Sequence, residues 1–286
     1  MTDDLPHAAQ AAFSTGYFDA RDRLRRLAPA ARAYPSPAVG PAGEKLFTEA
    51  AWFGDPAAKK VLVTISATHG AEGHCGSACQ LDWIAGGGPE RLRGDEACLV
   101  VHAINPYGYA WDRRVTEEGC DLNRNFVDFS AGAPDNPHYD ELAPYLVPAA
   151  LDGPVFEAAE AAIAAFRRTH GEHAFQIARK SGQYRHPTGV FFGGTAPSGP
   201  RRTLEQIAAD HRLADRAFVV VIDFHTGLGP FGYGELQTEE VGGMDLFERA
   251  TAIFGRSVTS PVLGTSSSVA LNGTMDLFWE NLLGDR

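Results

Sequence analysis

Three short apolar runs constrain the fold of this chain more than any other feature of its sequence. They lie within residues 60–66, 97–104 and 218–224, and all three are rich in branched apolar side chains. An apolar run without polar alternation is typical of a strand buried on both faces of a sheet that helices cover. A predicted helix over Gly73–Ala85 separates the first two runs, so the order is strand, helix, strand. The sequence therefore predicts an α/β fold.

The rest of the chain is predicted to consist mainly of helices and loops. Its length of 286 residues favours one large α/β domain that spans residues 1–286. Amphipathic patterns predict helices, whereas clusters of Pro, Gly, Asp and Asn predict loops. The predicted helices cover residues 5–32, 154–170, 172–180, 202–213, 245–254 and 276–283. Loops are predicted at residues 35–41 and 129–152, and a further strand at residues 45–53.

The charge of the chain argues against nucleic acid as a partner. The formal net charge is −11, which repels a phosphate backbone and an anionic membrane surface alike. The densest basic patches, residues 21–26 and 201–202, are short and are typical of solvated helix surface. We therefore expect no nucleic-acid partner and no membrane association.

Other features favour a cytoplasmic location. No segment approaches the roughly eighteen consecutive apolar residues of a membrane span, and the acidic residues 1–4 lack the apolar core of a signal peptide. Four cysteines at irregular spacing are too few for a disulfide scaffold. Cys75 and Cys79 are four residues apart, which is more typical of half-buried side chains on one helix face than of a metal pair.

The first polar motif follows the first apolar run directly. It reads Thr-His-Gly-Ala-Glu-Gly over residues 68–73 and places His69 and Glu72 three residues apart. Ligands bind at the carboxyl ends of strands in open α/β sheets, and imidazole and carboxylate groups are both good zinc ligands. The alternative is structural: His69 begins a helix, and Glu72 interacts favourably with the helix dipole.

The second polar motif follows the third apolar run. His225 emerges at the end of that predicted strand, again where a ligand would bind. Asp223 lies two residues earlier on the same strand face, where it could orient His225. The alternative is a core histidine that is hydrogen-bonded to the backbone.

The third polar motif follows the second apolar run. It comprises Asn-Pro-Tyr-Gly at residues 105–108, Arg113 and Arg114, and Asp-Leu-Asn-Arg-Asn-Phe at residues 121–126. The planar fork of an arginine such as Arg124 can make two parallel hydrogen bonds to a carboxylate, and Asn123 adds a neutral donor beside it. The alternative for Arg113 and Arg114 is a solvated surface loop.

These motifs occur in the order found in the zinc carboxypeptidase (M14) family, which the chain resembles. Over nearly its whole length it is similar to a bacterial branch, DUF2817, described as carboxypeptidase-like metallopeptidases. Residues 182–184, 192–194 and 228–230 match that branch as well. The resemblance implies a mixed, mostly parallel central sheet flanked by helices, which is the phosphorylase/hydrolase-like fold of the zinc carboxypeptidases.

The resemblance also implies a zinc-dependent metallohydrolase. Zn2+ would be held by His69, Glu72 and His225, with a water molecule at the fourth position. The implied reaction is hydrolysis of an amide or peptide bond next to a free carboxylate, in which water activated by the metal attacks the carbonyl.

The same resemblance implies how the substrate binds. Asn123 and Arg124 would bind its terminal carboxylate. Arg114, or alternatively Arg113, would polarise the scissile carbonyl and stabilise its oxyanion. The implied substrate is a small peptide or an N-acyl amino acid, because both carry an amide bond near a free carboxylate.

One part of the family pattern is not found, namely the glutamate that acts as general base. In the family it stands in a Glu-x-Gly-Thr stretch on a strand near the end of the domain, and this chain is expected to lack that final strand. The glutamates after His225 are not followed by Gly-Thr; they are Glu235, Glu239, Glu240, Glu248 and Glu280. Two alternatives therefore stay open: an aspartoacylase-like deacylase of N-acyl amino acids, and a catalytically impaired protein that binds a metal or ligand.

Overall fold

The computed structural model describes residues 7–238 and 245–284. The acidic residues 1–4, the first residues of the helix expected at 5–32, Glu239, Glu240 and the chain end at Arg286 lie outside these ranges. The described residues form two compact units. The first unit contains residues 7–118, 198–227 and 280–284, and the second contains residues 119–197, 228–238 and 245–279.

A five-stranded mixed sheet forms the centre of the first unit. Its order is β1-β2-β4-β3-β5, where the strands are β1 Arg32–Val39, β2 Lys45–Gly54, β3 Lys60–Ile65, β4 Glu96–His102 and β5 Phe218–Asp223. β3 pairs in parallel with β4 and with β5. β2 runs antiparallel to both of its neighbours, β1 and β4.

The sheet is mixed, as the sequence predicts, but the expected parallel majority is wrong. Two of its four pairings are antiparallel. The short connection between β1 and β2 accounts for the first of them, because a tight turn can join only antiparallel neighbours. The amide of Gly40 donates to the carbonyl of Glu44 across this turn (2.8 Å), and Gly43 occupies it with a φ of 85°.

The loop expected at residues 35–41 is another incorrect prediction. Pro35 and Pro37 lie within β1, which is an edge strand. Proline is tolerated there because an edge strand has amides that need no partner in the sheet. The helix expected over residues 5–32 is also interrupted. It consists of α1 His7–Ala12 and α2 Tyr17–Leu27, since Gly16 caps the second helix and residues 13–16 are not helical.

The core of the first unit is built around the β3-helix-β4 connection. The intervening helix, α3 Gly73–Ala85, has the predicted bounds. Its Leu81 and Ile84 join a buried cluster with Val100 of β4 and Leu24 of α2. Two shorter helices complete this unit, α4 Pro106–Ala110 and α7 Gly199–Asp210.

The second unit is mainly helical in its described part. Its helices are α5 Pro137–Leu146, α6 Gly153–Lys180 and α8 Asp245–Phe254, its strands are β6 Leu236–Gln237 and β7 Val258–Thr259, and α9 Met275–Leu283 follows. The loop expected at residues 129–152 is therefore partly wrong, because it contains α5. The two helices expected on either side of residue 171 are found as α6, which Gly171 interrupts with a φ of 84°.

None of the helices in the described ranges combines the length and the apolar character that crossing a membrane requires.

Candidate metal centre

The chain reverses direction at the carboxyl ends of two neighbouring parallel strands. Ile65, the last residue of β3, is in register with Asp223, the last residue of β5. The segments that follow therefore emerge at the same edge of the sheet. Ala67 has a φ of 62° at this point, a left-handed conformation that is uncommon for a residue with a side chain. Such strained backbone is concentrated at functional sites in proteins.

Three side chains predicted as metal ligands converge at this edge. The Nδ1 atom of His69 lies 3.0 Å from Oε1 of Glu72. The Nδ1 atom of His225 lies 3.0 Å from Oε2 of Glu72 and 3.2 Å from Nδ1 of His69. His69 is buried, whereas the side chain of His225 is 35% exposed. The site is therefore open to solvent on one side.

The spacing of these atoms fits a zinc ion. With metal–ligand distances of about 2.0–2.1 Å, a tetrahedron places its ligand atoms roughly 3.3–3.4 Å apart. The observed separations of 3.0 and 3.2 Å are close to that value. Two imidazole nitrogens and a carboxylate are also the donor types of catalytic zinc sites. Among the described residues, these three form a group of His and Glu side chains whose ligand atoms lie close enough together to hold a metal ion.

Asp223 orients the histidine that follows it. Its Oδ2 atom lies 2.9 Å from Nε2 of His225, and its Oδ1 atom accepts a hydrogen bond from the hydroxyl of Thr68 (2.8 Å). A carboxylate at the far nitrogen of a ligating histidine fixes both its tautomer and its ring orientation. Here it directs Nδ1 of His225 toward Glu72.

The charges at the site favour an ionised Glu72. Desolvation raises the pKa of Glu72, but hydrogen bonds from His225 and His69 outweigh it and hold this pKa well below its ordinary value. Desolvation lowers the pKa of His225, whereas the carboxylates of Asp223 and Glu72 raise it well above its ordinary value. The carboxylates of Glu72 and Asp223 thus stabilise positive charge at His225, as they would at a bound cation.

Arg114 lies beside these three residues. Its Nη1 atom is 3.5 Å from Oε1 of Glu72, and its side chain is 40% exposed. The backbone holds this loop in place: the amide of Gly70 donates to the carbonyl of Arg114, and the amide of Ala71 donates to that of Arg113. The structure therefore brings Arg114 to the site, where its own side chain is partly exposed to solvent.

The Asn-Pro-Tyr-Gly motif shapes the loop that carries Arg114. Asn105 caps α4 by accepting a hydrogen bond from the amide of Gly108 (2.9 Å), and the carbonyl of Gly108 accepts one from the amide of Arg113 (2.7 Å). Gly70 and Gly108 pack backbone against backbone. A Cβ atom on Gly70 would lie only 1.9 Å from the carbonyl carbon of Gly108. This motif positions the site, and its close contact with the loop after β3 requires a glycine at residue 70.

Asn123 and Arg124 lie in the second unit, on a short 3-10 helix over Leu122–Arg124. Arg124 is buried; its Nε atom donates to the carbonyl of Lys180 (2.9 Å) and its Nη1 atom to that of Asn123. The side-chain oxygen of Asn123 accepts from the amide of Met275 (2.8 Å). Both side chains thus have structural hydrogen bonds within this unit, and their predicted role in substrate binding stays a prediction.

The general base remains unassigned. Glu235 binds a loop of the second unit: its carboxylate accepts hydrogen bonds from Ser267 and Thr259. Desolvation raises the pKa of Glu235, but these donors lower it more, to about 2. Glu280 lies in α9, in agreement with the helix predicted there, and Glu239 and Glu240 lie outside the described residues.

Two contacts at the site were not predicted from the sequence. The backbone amide of Thr226 donates to Oε2 of Glu72 (3.1 Å), and the hydroxyl of Thr68 reaches Asp223. Thr68 precedes the predicted ligand His69, and Thr226 follows the predicted ligand His225. This proximity in the sequence is the one feature that could have indicated the two contacts. The direction of an amide, however, depends on the backbone path after the strand.

The chain belongs to the DUF2817 family, whose description is a protein of unknown function. The sequence model of this family matches residues 13–286, which is nearly the whole chain. Among curated proteins, no match to the chain was found.

Proposed function

We propose that this DUF2817 protein is a zinc-dependent metallohydrolase, similar to the M14 carboxypeptidases, that cleaves an amide bond next to a free carboxylate. One observation carries the proposal: Nδ1 of His69, Nδ1 of His225 and the carboxylate of Glu72 face one another at 3.0–3.2 Å, with Arg114 beside them. Two histidines, one glutamate and an open side are the hallmarks of catalytic rather than structural zinc sites.

In this proposal each residue of the site has a distinct task. His69, Glu72 and His225 would hold the metal. When bound, zinc lowers the pKa of water toward neutrality and polarises a carbonyl group. Asp223 keeps the Nε2 side of His225 occupied, which leaves Nδ1 for the metal. Thr68 holds Asp223 in turn.

Arg114 would stabilise the charge that develops on the carbonyl oxygen of the substrate. Its guanidinium is a cation that lies 3.5 Å from Oε1 of Glu72, one of the proposed metal ligands. A fixed cation aimed at a developing oxyanion is among the largest contributions to catalysis.

The chemical class of the substrate follows from the proposed carboxylate clamp. Asn123 and Arg124 match the clamp residues of the resembled family, and an arginine fork suits a carboxylate. A small peptide and an N-acyl amino acid both present an amide bond near such a group. Peptidase and aspartoacylase-like deacylase activities are therefore two forms of the same proposal.

A second candidate function is metal or ligand binding without efficient hydrolysis. The observation that favours it is that none of the glutamates within residues 226–286 is followed by Gly-Thr. Water attack on an amide needs a base to accept the proton. The absence of a general base typically costs about 10²–10⁴-fold in rate.

Metal content tests the centre directly. We expect about one zinc ion per chain in the wild type and none in the His69→Ala/His225→Ala double variant. The matched control is His138→Ala/His173→Ala, since both of these histidines are exposed. Folded wild-type protein that binds no divalent metal would contradict the hydrolase and would leave only ligand binding without a metal.

Activity of the zinc-loaded chain separates the two candidates. Hydrolysis of dipeptides or of N-acyl amino acids, but not of their carboxyl-amidated forms, would support the hydrolase. In that case we expect Arg114→Ala to lower kcat/KM by about 10²–10³-fold, whereas Arg113→Ala, at a more exposed position, has a much smaller effect. Stoichiometric zinc with no turnover of either class would favour the second candidate.

A further inference from the structure

Two cysteine side chains form a contact pair at the start of α3. Cys75 and Cys79 are one helical turn apart, so their side chains lie on the same face. Cys75 is half-buried and Cys79 is exposed. Each of these thiols is the group that shifts the pKa of the other the most. This arrangement differs from that of the other two cysteines, Cys98 and Cys120, which are buried.

The position of Cys75 in α3 favours its thiolate. Glu72 is the N-cap, so Cys75 is the third helical residue, in the first turn. Amides of the first turn lack partners within the helix, and the positive end of the helix dipole stabilises a thiolate there. Cysteines at such positions are more reactive than ordinary ones because the thiolate is the nucleophile.

The interaction between the two cysteines shifts their pKa values in opposite directions, which makes Cys75 the nucleophile. The hydrogen bond from Cys79 lowers the pKa of Cys75, although desolvation and the charge of Glu72 oppose this. The same hydrogen bond raises the pKa of Cys79, and so do desolvation and Asp82. By contrast, burial raises the pKa of Cys98 to about 12, so that residue stays a thiol.

We propose that Cys75 and Cys79 form a peroxide-reactive thiol pair that closes to an intrahelical disulfide. The thiolate of Cys75 attacks one oxygen of hydrogen peroxide; an S–O bond forms, the O–O bond breaks and hydroxide leaves. The sulfur of Cys79 then attacks the sulfenic sulfur; an S–S bond forms and the S–O bond breaks. The thiol proton of Cys79 leaves with the departing hydroxide as water. The thiols are oxidised and the peroxide is reduced.

Closing this disulfide must change the first turns of α3. Residues four apart in a helix have Cβ atoms about 5–6 Å apart, whereas a disulfide needs about 3.5–4.5 Å. Glycines pack this part of the helix tightly: a Cβ on Gly76 would lie 2.9 Å from Cβ of Ser66. The change therefore falls on the first turn of α3, which continues directly from the short 3-10 helix Gly70–Glu72.

Mass spectrometry tests the pair without reference to the metal or to any activity. Trypsin leaves Cys75 and Cys79 in one peptide, residues 61–91, and places Cys98 and Cys120 in others. After treatment of the reduced, chelator-treated chain with hydrogen peroxide, we expect this peptide to be lighter by two hydrogen atoms. In Cys79→Ser we expect a dimedone adduct on Cys75 instead, and in Cys75→Ser neither product.

Alkylation of the native chain provides an independent readout. We expect iodoacetamide to modify Cys75 at least about tenfold faster than Cys98 or Cys120, and Cys79→Ala to slow the reaction of Cys75. Serine and alanine are smaller than or similar to cysteine, and circular dichroism verifies that each variant is folded. Peptide 61–91 with two free thiols after peroxide, or equal alkylation of all four cysteines, would overturn the proposal.

Discussion

Asp223 connects the two chain segments that supply the histidines of the candidate metal centre. One of its oxygens lies against His225, and the other accepts from Thr68, the neighbour of His69. A single carboxylate thus orients one ligand directly and the other through the adjacent backbone. Losing its charge should loosen both without removing any ligand.

We therefore predict that Asp223→Asn lowers zinc affinity by about 10–100-fold. Competition against a chelator of known affinity at fixed pH would measure this. Asp215→Asn is the matched control, because that carboxylate is exposed and pairs with Arg212 at the surface. Wild-type affinity in Asp223→Asn would show that this residue does not orient the site.

Most of the site could be predicted from two features of the sequence: the residue types, and their positions at the ends of predicted strands. His69, Glu72 and His225 each follow an apolar run, and the structure brings them together. The choice between Arg113 and Arg114 could not be made from the sequence, because adjacent residues in a loop point in directions that only the backbone path sets. That path depends here on amides of residues 70 and 71 that bind carbonyls in the arginine loop.

The contact between two loops is the feature of this fold that tolerates change least. Gly70, after β3, packs on Gly108, at α4, with no room for a side chain on the former. We predict that Gly70→Ala lowers the free energy of unfolding by roughly 1–3 kcal/mol and weakens metal binding, because the turn carrying His69 and Glu72 must shift.

Urea denaturation and zinc titration of the same samples would measure both effects. Gly94→Ala is the matched control: a Cβ there meets nothing within 4 Å, and its backbone is not left-handed. If Gly70→Ala behaves like Gly94→Ala, the close loop contact is not required for the site.

Secondary structure was predictable where the local signal is strong. The apolar runs predict β3, β4 and β5 to within two residues, and the pattern of α3 predicts its bounds. β1 was missed because its prolines indicate a loop unless the strand is known to lie at an edge. β6 and β7 have two residues each, which is too short for any periodicity. The apolar run of β5 predicts a strand buried on both faces, but β5 lies at the edge of the sheet. An apolar run does not indicate which strands lie beside it.

At the scale of the whole molecule, Glu117 makes stability depend on pH. Both of its carboxylate oxygens are buried, and no other described residue hydrogen-bonds to them. Burial raises the pKa of Glu117, its own backbone amide lowers it, the neighbouring Glu118 raises it and Arg202 lowers it. Because the pKa is raised on folding, its cost is absent below the unfolded pKa of 4.5 and appears as pH rises through the folded pKa.

We predict that Glu117→Gln raises the free energy of unfolding by about 1–3 kcal/mol at pH 8 and has little effect at pH 3. Denaturant titrations at both pH values would measure this. Glu118→Gln is the contrasting control, since the carboxylate of Glu118 accepts from the amide of Gly199 at the start of α7 and from Thr116. We expect Glu118→Gln not to raise the free energy of unfolding. Equal changes in both variants would mean that the burial of Glu117 has no energetic cost.

The mixed α/β class was predictable from the whole chain, but the division into two units was not. Residues 198–227 belong with the first unit although residues 119–197 belong with the second. The Gly- and Pro-rich residues 193–200 span one of these crossings, but such a segment is equally typical of an ordinary loop. Such an arrangement depends on pairing between distant segments, such as β3 with β5, which a single sequence does not record. That residues 1–286 act as one domain stays a prediction.

The position of β5 has a consequence for the order of assembly during synthesis. Glu72 and His225 are 153 residues apart, so a nascent chain completes the centre only after β5 has docked beside β3. Closing so long a loop is slow and is paid for entropically before any contact forms. An edge strand held on one side is also the part of a sheet that opens most easily in the native state. A metal ion bound between His69 and His225 would therefore hold the last strand of the central sheet in place beside β3.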